Sequence, residues 1–241
     1  MQGCPWDFLR DGKKHIISLV GGGGKTTIMY QLAAFFARQG RHVLVTTTTH
    51  IWHPAMRYAE DWRQVQDLWR QGEFAVIGSC EPGTGKLTAP DGALWRQAAS
   101  CAEIVLIEAD GSKQLPCKVP AAHEPVILPE CDIVIGVAGA DALGRTLEEA
   151  CLRWQLGREL FASSCNLLID EALLVQLLLS ERGTRKNVGG RSYYVALNKC
   201  DMVQSERVRR LQQLALAAGL PSERLWLRGE AETRCKDADE K

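Results

Sequence analysis

The sequence has no C-x-x-C pair, although it holds nine cysteines, Cys4, Cys80, Cys101, Cys117, Cys131, Cys151, Cys165, Cys200 and Cys235. An odd number without paired spacing does not make a disulfide framework, so the expectation is reduced thiols, several of them small core residues. Net charge is absent as well: 29 basic residues balance 29 acidic ones. That removes the electrostatic case for a non-specific nucleic-acid binder. No apolar run approaches the roughly 20 residues needed to cross a bilayer, and the stretch MQGCPWDFLRDGKK carries acidic residues and no apolar h-region. The expectation is a cytoplasmic protein with no nucleic-acid and no membrane partner. Internal repeats and low-complexity linkers are also missing. Residues 1–230 therefore read as a single domain, followed by a charged tail at 231–241 that should fray.

What the chain does have is a recurring alternation. Short apolar runs at 15–20, 42–47, 74–79, 103–109, 132–139, 192–198 and 224–228 read as strands. Between them lie helical patterns: one after the glycine stretch, then 56–72, 146–181 and 204–220. Alternation of this kind predicts an α/β fold, a mostly parallel sheet with helices on both faces. In the first of these helices Ile28, Leu32, Phe35 and Phe36 share one face, and Gly40 is a helix stop. The segment CEPGTGKLTAPDG at 80–92 contains GTGK but has no Ser or Thr after Lys86, and it reads as a turn.

The glycine stretch is VGGGGKTT, residues 20–27, set between a strand and a helix. A phosphate-cradling loop needs backbone N–H groups close to the ligand, which suits Gly21, Gly22, Gly23 and Gly24. Lys25 would bring a positive charge to the terminal phosphates. The hydroxyl of Thr26 or Thr27, at a helix start that favours anions, suits Mg²⁺. Leu19 stands where the longer pattern has its first glycine, so the loop counts as the short form G-x-x-G-K-T, also seen in the Mur ligases. This points to a fold of the P-loop NTPase type.

Three further strand ends carry polar groups, and in open parallel sheets ligands gather beyond the carboxyl ends of strands. TTTTH at 46–50 reads equally as site or scaffold. EADGS at 108–112 places Glu108 and Asp110 at the tip of a buried run, where either carboxylate would complete a metal shell. The spacing from Glu108 to Gly111 also resembles the phosphate-sensing turn of GTPases. NKCD at 198–201 has the N-K-x-D pattern of guanine-binding proteins. Its Asp201 carboxylate can accept from the paired donors of guanine, while Asn198 and Lys199 hold the ring and the loop.

Taken together, VGGGGKTT, VTTTTH, IEADGSKQLPCKVPAAHEPVI, VIGVAGADALGR and LNKCD resemble the YqeC family over most of residues 8–230. The resemblance implies a P-loop protein of selenium-cofactor biosynthesis, an accessory of selenium-dependent molybdenum hydroxylases. The segment Lys118 to Pro125, with its HEP at 123–125, and Asp141 match family motifs that no generic GTPase needs. At 151–154 the chain reads CLRW, which keeps Arg153 but places Leu152 where such proteins often carry a histidine. A lone His123 reads either as a loop residue or as a ligand.

The expectation is thus a slow, Mg²⁺-dependent nucleoside triphosphatase that uses GTP in preference to ATP. Gly21 to Gly24, Lys25, Thr26, Thr27 and Gly111 would hold the nucleotide phosphates. Asn198, Lys199 and Asp201 would hold the base, and Thr26 with Glu108 or Asp110 the metal. Its expected partner is a molybdenum hydroxylase or a selenium-donating protein. Two alternatives stay open: an ATP-dependent ligase or kinase that activates a small acceptor, and a module that binds nucleotide without turnover and docks a partner.

Overall fold

A computed structural model describes residues 9–161 and 168–229. In chain order the strands are β1 (His15–Gly21), β2 (Val43–Thr47), β3 (Ile51–Trp52), β4 (Ala75–Val76), β5 (Ser79–Glu81), β6 (Lys86–Thr88), β7 (Ile104–Glu108), β8 (Cys117–Lys118), β9 (Ile133–Gly139), β10 (Cys151–Leu152), β11 (Ser192–Asn198) and β12 (Leu225–Leu227). The helices are α1 (Lys25–Ala37), α2 (Trp62–Arg70), α3 (Gly92–Cys101), α4 (Leu147–Ala150), α5 (Trp154–Phe161), α6 (Glu171–Leu179) and α7 (Ser205–Ala217). The predicted frayed tail at 231–241 lies outside the described residues.

Seven strands form one sheet in the order β12-β11-β9-β1-β7-β2-β4, and every pairing in it is parallel. Parallel neighbours need crossover connections, and helices on both faces supply the burial that such strands require. The alternation of side chains across β7 shows how. Ile104 and Leu106 pack with Ile28, Met29, Leu32 and Phe36 of α1. Val105 and Ile107 point the other way, toward Val65 and Trp69 of α2 and Ala98 of α3. Farther along the sheet, Val134 and Val195 meet Leu174 of α6 and Leu211 of α7. Burying a Leu, Ile or Phe side chain contributes about 1.5 to 3 kcal/mol each, so the two faces of the central strands hold the fold together.

Register decides where function can sit. Leu19 and Thr47 both stand level with Glu108, Gly21 with Val137, and Asn198 with Gly139. The glycine loop, the Glu108 tip and the start of NKCD therefore share the carboxyl edge of one sheet. The central position of β1 puts the loop between the other two.

Three sequence expectations are corrected. The helix expected over 56–72 begins only at Trp62, where the Asp61 side chain accepts from Gln64 N–H and caps it. The residues before it run beside β4: Arg57 has φ 67° and Ala59 N–H donates to Val76. The helix expected over 146–181 is broken. A capping box at Thr146 and Glu149 opens α4, which ends at Ala150. Cys151 and Leu152 then pair with Cys117 and Lys118, and Arg153 turns at φ 60° before α5. The turn expected over 80–92 is confined to its centre, with Gly83 and Gly85 at positive φ. Around it β5 and β6 pair antiparallel, β3 joins them, and Asp91 caps α3.

Candidate functional site

At the end of β1 the chain turns through Gly21 (φ 99°), Gly23 (φ 72°) and Gly24 (φ 111°). Only glycine fits here for reasons of space as well as angle. A Cβ on Gly23 would lie 2.0 Å from Gly139 N, and one on Gly22 would lie 2.7 Å from Leu115 O. The expectation that all four glycines turn their N–H groups to a ligand is revised. Gly21 N–H donates to both Asp110 oxygens, Gly22 N–H to Val137 O and Gly23 N–H to Leu115 O. The glycines let the loop nest against backbone. The N–H groups of the cap residue Gly24 and of Lys25, Thr26 and Thr27 precede the first intrahelical bond and so have no acceptor within α1. Ile28 N–H makes the first helical bond, to Gly24 O at 3.1 Å. No side chain caps α1 and no acidic residue stands in its first turn, so this helix end suits an anion.

Beside these donors sits a set of charges. Lys25 is 3 % exposed. Its Nζ donates to Gly21 O at 2.6 Å and lies 3.2 Å from Asp110 and 3.9 Å from Glu108. Thr26 Oγ1 donates to Glu108 Oε2 at 2.6 Å. Burial raises the Glu108 carboxyl above its ordinary range; the Lys25 charge and the Thr26 hydrogen bond oppose this, and the Asp110 charge adds to it. Sequence left Glu108 and Asp110 as equal candidates, and the geometry separates them. Glu108 faces the Thr26 hydroxyl, whereas Asp110 grips the loop backbone and Lys25.

Asp110 also leads away from the loop. Its Oδ2 lies 3.2 Å from Nζ of Lys118, a fully buried lysine. Lys118 donates in turn to Glu124 at 2.7 Å and to Gly111 O at 2.7 Å. Glu124 accepts a two-pronged contact from Arg153, at 2.8 and 3.1 Å. Although burial works to raise the Glu124 carboxyl, its bond with Lys118, the nearby charges and the Ala121 N–H hold it below the ordinary range.

On the other side of the loop, Asn198 Nδ2 donates to Gly23 O at 2.9 Å. Lys199, at φ 60°, forms an ion pair with Asp141 at 2.7 Å. Asp201 is exposed in a short helical turn, Cys200–Met202. The TTTTH segment is scaffold in its first three threonines. Thr46, Thr47 and Thr48 hydroxyls donate to the carbonyls of Ile77, Glu108 and Val126. His50 lies 3.4 Å from Glu81, and His123 is exposed.

Comparison with known proteins adds two findings. The family model described as YqeC protein matches residues 17–155. A protein of Escherichia coli strain K12, named Uncharacterized protein YqeC, is 32% identical over 215 residues, which cover 82% of this chain and 83% of that protein. The chain belongs to the YqeC family. The YqeC match begins in β1 and ends just after Arg153. It therefore takes in the glycine loop, Glu108, Asp110, Lys118, Glu124 and Arg153, and stops short of NKCD.

Sequence reasoning missed the roles of Lys118, Glu124 and Arg153, although it singled out the segments that hold them. The available signal was local: a KVP and an HEP sequence with no hydrophobic period to place them. Nothing in it says that a lysine is to be buried. Among the described residues no three His, Cys, Asp or Glu side chains form a group that could hold a metal. No disulfide is present among them, and Cys117, Cys131 and Cys151 are buried. No described helix is long and apolar enough to cross a membrane.

Proposed function

We propose that this YqeC-family protein binds a nucleoside triphosphate with Mg²⁺ and hydrolyses it slowly, GTP in preference to ATP. The observation that carries the reading is one constellation. The uncapped start of α1, the buried Lys25 and the Thr26 hydroxyl at 2.6 Å from Glu108 all meet at the carboxyl edge of the sheet. Backbone donors, a cation and a hydroxyl–carboxylate pair are what a phosphate chain and its counter-ion require.

Mg²⁺ suits the donors present. Thr26 and Glu108 offer hard oxygen ligands, and Mg²⁺ is commonly held by one or two protein oxygens together with substrate phosphates rather than by an all-protein cage. Bound there, it would neutralise charge on the phosphates. The chain's own part is positional. The N–H groups of Gly24 to Thr27 would receive phosphate oxygens, and Lys25 would turn from Asp110 and Gly21 O to the terminal phosphates. Catalysis would then rest on orientation and charge neutralisation.

Preference for GTP is supported by the placement of NKCD. Asn198 is bonded to the loop itself, and Lys199 is held by Asp141, which leaves Asp201 exposed on the same edge. Service in the maturation of a selenium-dependent molybdenum hydroxylase belongs to the same proposal and rests on the family resemblance.

Titration calorimetry of the purified protein with GTP and ATP, with and without Mg²⁺, tests the reading, with phosphate release followed in parallel. Tight Mg²⁺-dependent binding that Lys25→Ala abolishes is the expected result. Parent protein that binds neither nucleotide would overturn it. Turnover seen only on adding a small acceptor would favour a ligase or kinase instead.

A further inference from the structure

Asp110 is 2 % exposed and lies between two lysines that approach opposite oxygens, Lys25 at Oδ1 and Lys118 at Oδ2, each at 3.2 Å. Lys118 has no exposed surface, yet all three of its N–H donors have acceptors within reach: Asp110, Glu124 and the carbonyl of Gly111. Such a group cannot reach a ligand without breaking the interior. Its position matters for another reason, which concerns Lys25.

If Lys25 is to serve a phosphate, it must give up Asp110. A buried carboxylate that loses its only cation is left uncompensated, and that cost would be charged against ligand binding. Here the carboxylate keeps a second cation, along with the Gly21 N–H that bonds both its oxygens. Lys118 is itself fixed through Glu124, which Arg153 clamps from the surface side. The whole set holds three cations, Lys25, Lys118 and Arg153, against three carboxylates, Glu108, Asp110 and Glu124, so no charge in it is surplus.

We propose that Lys118 is a positioning residue of the triphosphate site, the standing counter-ion of Asp110 that allows Lys25 to leave that carboxylate for a phosphate. The inference rests on the reading of the glycine loop as a triphosphate site. It adds a residue that never touches the ligand and acts through Asp110 on Lys25. It also explains why a lysine is buried at the amino end of the segment 118–125: the segment carries the second cation to the back of the loop.

The test compares the full-length parent with Lys118→Met and with the double variant Lys118→Met/Asp110→Asn, by titration with magnesium-GTP and magnesium-ATP. Removing Lys118 alone makes Lys25 the sole cation at Asp110, and affinity should fall by about 10- to 100-fold. Removing the carboxylate as well abolishes the need for a second cation and restores the charge balance. The double variant should bind within a few-fold of the parent or more tightly. A lysine that serves only the fold would lower the urea midpoint of Lys118→Met and leave the affinity of its folded form unchanged. Lys118→Met may be replaced by the double variant alone if it does not fold. A folded double variant that binds more than about 10-fold more weakly than the parent overturns the proposal. Unchanged affinity in a folded Lys118→Met overturns it too. A parent that binds neither nucleotide defeats the site reading and this inference together, whereas failed rescue with a binding parent defeats this inference alone.

Discussion

The side-chain amide of Asn198 donates to the carbonyl of Gly23 at 2.9 Å, joining two positions 175 residues apart. One residue at the end of β11 is thereby tied to the backbone that precedes the uncapped helix. The consequence is that NKCD and the glycine loop are joined at one edge of the sheet.

Asp201→Asn tests the proposed contact with guanine. A carboxylate accepts from both donors of guanine, while an amide presents its own NH₂ to one of them. GTP affinity should fall by about 2 to 4 kcal/mol, roughly 30- to 1000-fold. Xanthine nucleotide should gain, since its carbonyl can accept from that amide, and ATP should hardly change. Competition among the three nucleotides is the measurement. An unchanged ranking in the variant would make NKCD a surface turn.

Glu108→Gln and Asp110→Asn should part company. The first keeps an acceptor for the Thr26 hydroxyl, so its fold should survive while Mg²⁺-dependent turnover drops on the order of 100-fold. The second leaves Lys25 and Lys118 without a shared carboxylate and should cost about 3 to 5 kcal/mol of stability. Urea unfolding alongside phosphate release separates the two effects. Equal, negligible losses of turnover would remove the strand tip from the site.

Gly23→Ala should destabilise the protein whatever its ligand. Its φ is 72°, and the added Cβ would lie 2.0 Å from Gly139 N and 2.5 Å from Ala138 C, both backbone atoms. Neither atom can give way without moving β9, so a loss of about 2 to 4 kcal/mol is expected in equilibrium unfolding. Stability equal to the parent would mean that the loop does not nest as described.

Acid should reveal Glu124. Its folded-state carboxyl is depressed below the ordinary 4.5, because Lys118, Ala121 N–H and Arg153 together outweigh burial. A depressed carboxyl contributes stability above its unfolded value and loses it as pH falls through the folded one. Glu108, raised by burial, works with the opposite sign, so the comparison of parent with Glu124→Gln isolates the contribution of Glu124. The stability gap between them should be widest near neutrality and narrow below about pH 4.5. Denaturant midpoints across a pH series would show it, and a gap that stays constant would contradict the depressed carboxyl.

By itself the sequence determined the strands of the main sheet, the glycine loop between β1 and α1, the emergence of Glu108 from an apolar run and the turn after β11. Each depends on neighbours within a few residues: continuous Ile, Val and Leu runs suit strands buried on both faces, and Gly-Lys-Thr at a helix start is local chemistry. Tertiary structure alone decided which carboxylate faces Thr26, that three of the glycine N–H groups are taken up by Asp110, Val137 and Leu115, and that Lys118 is buried between Asp110 and Glu124. It also broke the helical pattern at 146–181, where pairing of Cys151 with Cys117 and the bond from Arg153 to Glu124 outweigh helix propensity. The physical reason is the same in each case. These arrangements are contacts between residues far apart in the chain, and the energy of a buried charge is set by the groups that surround it, which no local pattern records.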